Sequence, residues 1–189
     1  MRRIVGVAAL VTAAVSVGLL GAGCNNKSSD GGGAAGASKS ASALLDDAQT
    51  AMNAEDWKTA IAALDAVIAD PKAGAEDKVQ AWQDKVMCEA RGNGDQAAIA
   101  TLQKMDDAKV AMTPSQFAKL GGDLANADKP EVSLKVLEIA TKRYEHDEAA
   151  KKLFKKFAAN LRKKFAASGD AAGQQKLDSL GYLGGSEDE

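Results

Sequence analysis

The sequence predicts an all-α protein built from antiparallel helix pairs. Of its 189 residues, 46% are hydrophobic but only 4% are aromatic, and Ala and Leu dominate the apolar set. Between residues 41 and 183 the apolar residues recur at helical spacing, and turn-forming residues interrupt them roughly every 10–20 residues. Segments rich in β-branched and aromatic residues, which would favour paired strands, are not visible.

Helical periodicity and helix-end signals define the individual elements. They predict eight helices, at 42–53, 56–69, 75–91, 95–108, 114–126, 129–145, 147–167 and 170–180. The fifth begins with Thr113 as the N-cap, Pro114 at the first helical position and Gln116 at the capping-box position. Asp128 is expected to open the sixth helix, with Pro130 in its first turn.

The N-terminus has the features of an export signal. Two arginines precede an uncharged apolar stretch, residues 4–23, that ends in small residues before Cys24. Ala22, Gly23 and Cys24 resemble the lipobox of a bacterial lipoprotein, in which the Cys becomes lipidated. The resemblance implies a lipid anchor on the cell envelope, on the periplasmic side or at the cell surface. Two alternatives stay open: a retained membrane-spanning helix, and ordinary signal cleavage that releases the protein.

Composition divides the chain into four segments. Residues 1–23 form the expected signal peptide, and residues 24–40 form the anchor and a flexible Gly/Ser/Ala tether. Residues 41–183 form the helical domain, and residues 184–189 are predicted to be a disordered acidic tail.

The helix pairs share a repeated pattern of large and small residues. Small residues that begin each second helix, Ala60, Ala98 and Ser133, lie 38 and 35 positions apart. The other residues of the pattern are Leu44, Ala48, Ala51, Trp57, Leu64, Trp82, Val86, Leu102, Met105, Phe117, Leu120, Gly121, Leu124, Leu137 and Ala140. Residues 114–147 resemble a tetratricopeptide (TPR) unit, and residues 41–71 resemble a second copy. The resemblance implies a right-handed superhelical stack of about three degenerate repeats with a C-terminal capping helix pair. An irregular helical bundle is the alternative.

The TPR resemblance also implies where a partner binds. In that family the first helix of each pair lines a concave groove that holds a peptide or a protein. Carried over by position, the groove residues are Gln49, Met52, Asn53, Gln83, Met87, Arg91, Gly122, Ala125 and Asn126. The cluster of basic residues that some family members use for C-terminal carboxylates is not visible, so an unidentified protein or peptide is the expected partner.

The helix near 148–166 is amphipathic and basic. Its apolar stripe is flanked by seven basic residues, Lys151, Lys152, Lys155, Lys156, Arg162, Lys163 and Lys164, and by one acid, Glu148. Such a helix caps a helical stack, with its apolar side inward and its charged side in water. The alternative is a binding surface for anionic lipid or an acidic polymer.

Residues with chemical potential are few. The net charge of −2 argues against a nucleic-acid binder, and no nucleotide-binding, metalloprotease or hydrolase motif is present. His146, the single histidine, is expected at the surface, so no metal site and no cofactor are predicted. Cys88 is expected to be a small buried residue, with a free thiol for an intermolecular disulfide as the alternative. The sequence thus predicts a non-catalytic, membrane-anchored scaffold for protein–protein interaction, and the alternative function is a surface-binding module based on the basic helix.

Overall fold

The computed structural model describes residues 39–182, which fold into eight α-helices. They are α1 (Ala41–Asn53), α2 (Trp57–Ala69), α3 (Ala75–Gly92), α4 (Asp95–Asp107), α5 (Pro114–Asn126), α6 (Pro130–Arg143), α7 (Glu148–Ser168) and α8 (Ala171–Ser179). This stretch contains no β-strand, so the all-α prediction is confirmed. The expected signal peptide, Cys24, most of the tether and the acidic tail lie outside the described residues.

The folded part begins slightly earlier than the predicted end of the tether. Ser40 is the N-cap of α1, and its side chain accepts a hydrogen bond from the Ala43 amide at 3.2 Å. Lys39 forms an ion pair with Asp47 on the first turns of the same helix. Both residues are therefore part of the helical unit, because an N-cap satisfies amides that the first turn leaves unpaired.

Two predicted helix starts have different outcomes. At α5 the capping box is confirmed: Thr113 Oγ1 accepts from the Gln116 amide at 3.3 Å, and Gln116 Oε1 accepts from the Thr113 amide at 2.7 Å. At α6 the prediction that Asp128 opens the helix is wrong. Asp128 has a φ of 56° and completes the turn after α5, so the N-cap falls on Lys129. Asp tolerates this left-handed conformation better than most residues.

The helices pack in chain order. Contacts join the two helices of each pair, α1–α2, α3–α4, α5–α6 and α7–α8. They also join successive first helices, from α1 through α3 and α5 to α7, and the second helices α4, α6 and α8. The extensive contacts in residues 39–182 therefore connect helices that are no more than two apart along the chain. No helix in this range is both long and apolar enough to span a membrane.

The buried apolar residues form two clusters, and α3 belongs to both. The N-terminal cluster is made by α1 and α2 together with Ala81 and Cys88 from α3. The larger cluster extends from α3 to α8 and takes Val79, Val86 and Ala90 from other sides of α3. Helix α3 is therefore the structural link between the first helix pair and the rest of the described protein.

Small residues lie where helices approach closely. Ala48, Ala60, Ser133 and Ala140 are all buried. At Gly121, a methyl group would lie 2.0 Å from Cζ of Phe157, so α7 packs directly against the α5 backbone at this position.

A buried hydrogen bond ties the same point to the other helix of its pair. Ser133 Oγ donates to the Gly121 carbonyl at 2.7 Å, which joins α6 to α5. Gly121 is thus in contact with α6, the other helix of its own pair, and with α7 of the following pair.

Helix α7 buries its apolar stripe and is joined to α8 by polar contacts. Phe154, Phe157, Leu161 and Phe165 are all buried. Arg162 donates hydrogen bonds to the Asp178 carboxylate and to the carbonyl of residue 182, and so connects α7 to α8 and the segment after it.

A connection that the sequence pattern did not predict holds the link between α4 and α5. Arg143, at the end of α6, donates from Nε to Asp106 Oδ1 at 2.7 Å and from Nη1 to the Val110 carbonyl at 2.6 Å. Its guanidinium also lies 5.4 Å from the ring centroid of Phe117. Close by, the hydroxyl of Tyr144 donates to the Met112 carbonyl at 2.5 Å.

Candidate partner groove and basic surface

A trough runs along the seam between α3 and α5. It consists of three adjoining depressions with volumes of about 390, 40 and 410 Å³, and Asp84 lines all three. The trough extends from Glu76 in the first turn of α3 to Arg91 in its last turn, which corresponds to about 22 Å at 1.5 Å per residue. We refer to this feature as the α3–α5 trough.

Four of the predicted groove residues meet at one end of this trough. Met52 from α1, Met87 and Arg91 from α3, and Asn126 from α5 line the same depression. Gln83 lines the two depressions farther along. Five of the predicted positions, from three different first helices, therefore line the trough.

Other predicted groove residues lie elsewhere. Gln49 and Asn53 are exposed on α1, where the Gln49 side chain donates to Asn53 Oδ1 at 3.0 Å, and neither lines the trough. Ala125 is only 1% exposed because it packs in the larger core cluster. Gly122 is partly buried and does not line the trough either. The prediction that Ala125 faces a groove is wrong, because α5 is buried on more sides than the family pattern implied.

The trough also contains charged residues that sequence reasoning missed. Asp84, Lys119 and Asp123 line its central part beside Met87 and Gln83. A helical-face analysis could have found Asp84, because it lies three residues before Met87 and therefore on the same face of α3.

The charges in the trough are unequally compensated. Lys119 Nζ lies 2.8 Å from Asp123 Oδ2, and this hydrogen bond and charge raise the pKa of Lys119. Asp84 is partly buried, and among the described residues its side chain accepts a single long hydrogen bond, 3.5 Å from Gln80 on its own helix. Burial raises the pKa of Asp84, although Gln80 and the charge of Lys119 act in the opposite direction. At the other end, the Arg91 guanidinium lies 5.9 Å from the ring centroid of Trp57.

Only some of the basic side chains predicted on α7 are exposed to solvent and able to bind a partner. Lys152, Lys155 and Lys156 are exposed on α7, as is Lys163, whereas Lys164 is half-buried. Lys151 Nζ lies 2.7 Å from Glu148 Oε1, and this hydrogen bond lowers the pKa of Glu148. Arg162 is used structurally, through its contacts with α8. The exposed part of the surface is therefore centred on Lys152, Lys155 and Lys156.

His146 and Cys88 are the two other residues that the sequence marks as chemically reactive. The side chain of His146 is 91% exposed, with Nε2 3.2 Å from Glu145 Oε1. Across the described helices and turns, no three His, Cys, Asp or Glu residues are grouped as metal ligands would be. Cys88 is fully buried in the N-terminal cluster, and burial raises the pKa of its thiol to about 11. The expectation that Cys88 is a buried apolar residue is confirmed.

Comparison with known proteins leaves the chain without a family assignment. No protein-family model, curated protein or solved structure matches it. The resemblance to tetratricopeptide repeats therefore depends on the types and spacing of the chain's own residues.

Proposed function

We propose that this protein is a non-catalytic scaffold, anchored to the bacterial cell envelope through Cys24, that binds a partner protein or peptide in the α3–α5 trough. The observation that carries the proposal is the meeting of Met52, Met87, Arg91 and Asn126 in one depression. Three different helices supply these residues, so the depression depends on the way successive helix pairs pack. Concave surfaces built in this way are typical binding sites of helical repeat proteins.

The register of the second helices supports a TPR-like repeat arrangement. Ala60, Ala98 and Ser133 are each the fourth residue of α2, α4 and α6, and each is fully buried. The residues four positions later are Leu64, Leu102 and Leu137, and those seven positions later are Val67, Met105 and Ala140; all six are fully buried. The same small-large pattern thus occupies the same helical positions in three successive pairs.

Lipidation can be tested by metabolic labelling with an alkyne-tagged fatty acid in a bacterial host. Label is expected on the wild-type protein and on Cys88→Ala, and it should be lost from Cys24→Ala. The two variants make the same substitution, and Cys88 is buried away from any acylation enzyme. Equal labelling of both variants, or absence of label from the wild type, would contradict the anchor.

Partner binding can be tested by photo-crosslinking in native envelopes. Benzoylphenylalanine placed at Asn126 should give a discrete crosslinked product, whereas the same group at the exposed α4 residue Gln103 should give none. Arg91→Glu should reduce the product at position 126, and the matched charge reversal Lys104→Glu on α4 should not. Helical content and melting temperature must be unchanged in both variants. Equal crosslinking from the two positions would argue against the trough as a specific site.

Exposure of Lys152, Lys155 and Lys156 favours a second candidate function, which is attachment to anionic lipid or an acidic polymer through α7. The unlipidated protein (Cys24→Ser) should then associate with phosphatidylglycerol vesicles but not with phosphatidylcholine vesicles. The association should decrease between about 0.05 and 0.5 M salt, because the screening length falls from about 14 Å to about 4 Å over this range. Lys155→Glu with Lys156→Glu should abolish it, and Lys58→Glu with Lys104→Glu should leave it intact. Association that is insensitive to salt would exclude this function.

A further inference from the structure

The Asp84 carboxylate indicates which kind of ligand the α3–α5 trough can bind. Asp84 lines every part of the trough, so a bound chain that follows the seam must pass its side chain. Within residues 39–182 this carboxylate has no ion-pair partner, and its hydrogen bond from Gln80 is long, at 3.5 Å. A partly desolvated, weakly compensated carboxylate gains most from a ligand that brings a positive charge.

Among the charged residues of the trough, Asp84 is the one best placed to bind a positively charged ligand group. Asp123 is already paired with Lys119 at 2.8 Å, and the two side chains are 47% and 76% exposed, respectively. Glu76 adds a second negative charge at the far end of the trough. Arg91 lies at the opposite end, over the Trp57 ring. A ligand cation is therefore attracted to the Asp84 carboxylate from the side of Glu76 and is repelled by Arg91 at the other end of the trough.

Apolar side chains border the same carboxylate. Leu120 and Met87 line the central depression together with Asp84, and Met52 joins Met87 in the next depression. Met87 lies one helical turn from Asp84, about 4.5 Å along the α3 axis. Methionine side chains are flexible and polarizable, so they adapt to apolar groups of different shape.

We propose that the trough recognises a peptide segment in which a Lys or Arg side chain, bound by Asp84, stands close to an apolar side chain that packs on Met87. The inference rests on the proposed scaffold function and specifies its ligand. About seven extended residues match the 22 Å length of the trough, at 3.3 Å per residue.

Seven-residue peptides of Gly and Ser with Lys at position 3 and Leu at position 5 provide the probe. Binding is measured by NMR chemical-shift changes of the backbone amides of α3 and α5. Replacing the peptide Lys by Gln should weaken binding about tenfold, which corresponds to 1.4 kcal/mol. Replacing it by Glu should weaken binding further, and replacing Leu by Ser should also reduce affinity.

Two protein variants test the role of Asp84. Asp84→Asn should remove the preference for the Lys peptide over the Gln peptide, and Asp107→Asn, an exposed α4 carboxylate outside the trough, should retain it. Equal affinity for the Lys and Gln peptides, a preference that survives in Asp84→Asn, or no shift in the trough at millimolar peptide would each overturn the inference. Photo-crosslinking from position 126 is independent of these peptides. A specific crosslink without peptide binding would therefore refute the cationic ligand while the scaffold function stands.

Discussion

Two adjacent glycines in α5 should respond in opposite ways to the addition of one methyl group. A Cβ atom at Gly121 would lie 2.0, 2.6 and 2.9 Å from three ring carbons of Phe157, whereas a Cβ at Gly122 meets no atom within 4 Å. Carbon atoms in ordinary contact are about 3.5–4.0 Å apart, so the Phe157 ring would have to move by more than an ångström. Phe157 is only 6% exposed and packed in the core, which leaves the ring little space.

The expected magnitudes follow from helix propensity and overpacking. Replacing a mid-helix Gly by Ala stabilises a protein by about 0.5–1 kcal/mol when space is available, which is the prediction for Gly122→Ala. Gly121→Ala gains the same contribution but forces a steric displacement of about 1–3 kcal/mol or more. We expect a net destabilisation of about 2 kcal/mol at this close contact, which lowers the melting temperature by about 4–8 °C in a protein of this size.

Urea and thermal unfolding, followed by far-UV circular dichroism, measure both effects. A double-mutant cycle with Phe157→Leu identifies the cause, because removing the ring relieves the clash. The loss in the free energy of unfolding caused by Gly121→Ala should be smaller by at least about 1 kcal/mol in the Phe157→Leu background than in the wild type. Stabilisation by Gly121→Ala equal to that by Gly122→Ala would refute the close approach of α7 to α5.

Two further predictions concern titratable groups. In the Cys24→Ser variant, Cys88 of the folded protein should react with a disulfide reagent at pH 8 on the order of a hundredfold more slowly than Cys88 of the protein unfolded in urea. The reason is that Cys88 is buried in the folded protein and the pKa of its thiol is raised to about 11. Rapid labelling of the folded protein would contradict this prediction. Asp84→Asn should raise the melting temperature at pH 7, because burial disfavours the ionised carboxylate in the folded state and raises its pKa. The advantage should shrink as the pH falls through the raised pKa of the folded state and vanish below the ordinary pKa of Asp, about 3.9; an advantage that does not change with pH would indicate another cause.

The helices were predictable because their signals are local. All eight predicted helices are present, and their ends differ from the prediction by at most two residues. The Thr113 capping box depends only on residues three positions apart, so the sequence alone contains it. Asp128 shows the limit of this reasoning, because its suitability as an N-cap competes with its tolerance of a left-handed turn. The structure adopts the second option.

Contacts between distant residues were not predictable in the same way. The hydrogen bonds of Arg143 join positions more than 30 residues apart, and no local pattern marks their partners. Gly121 belongs to the pattern of small residues visible in the sequence, but the side chain that approaches it, Phe157, comes from the next helix pair. Likewise, the family pattern marks Gln83 but not the neighbouring Asp84, because the partial exposure of Asp84 depends on how α3 packs against other helices.

The trough is a consequence of the way α3 is packed. This helix contributes Ala81 and Cys88 to one apolar cluster, and Val86 and Ala90 to the other, so much of its surface is buried. Its partly exposed stripe includes Asp84, Met87 and Arg91, which are three and four residues apart and share one helical face. Helices α3 and α5 touch only lightly, and this leaves the stripe open toward solvent. Because Asp84 and Arg91 belong to neither cluster, substitutions at these two positions should change binding without unfolding the protein. Substitutions at Val86 or Cys88, which are fully buried, should reduce stability first.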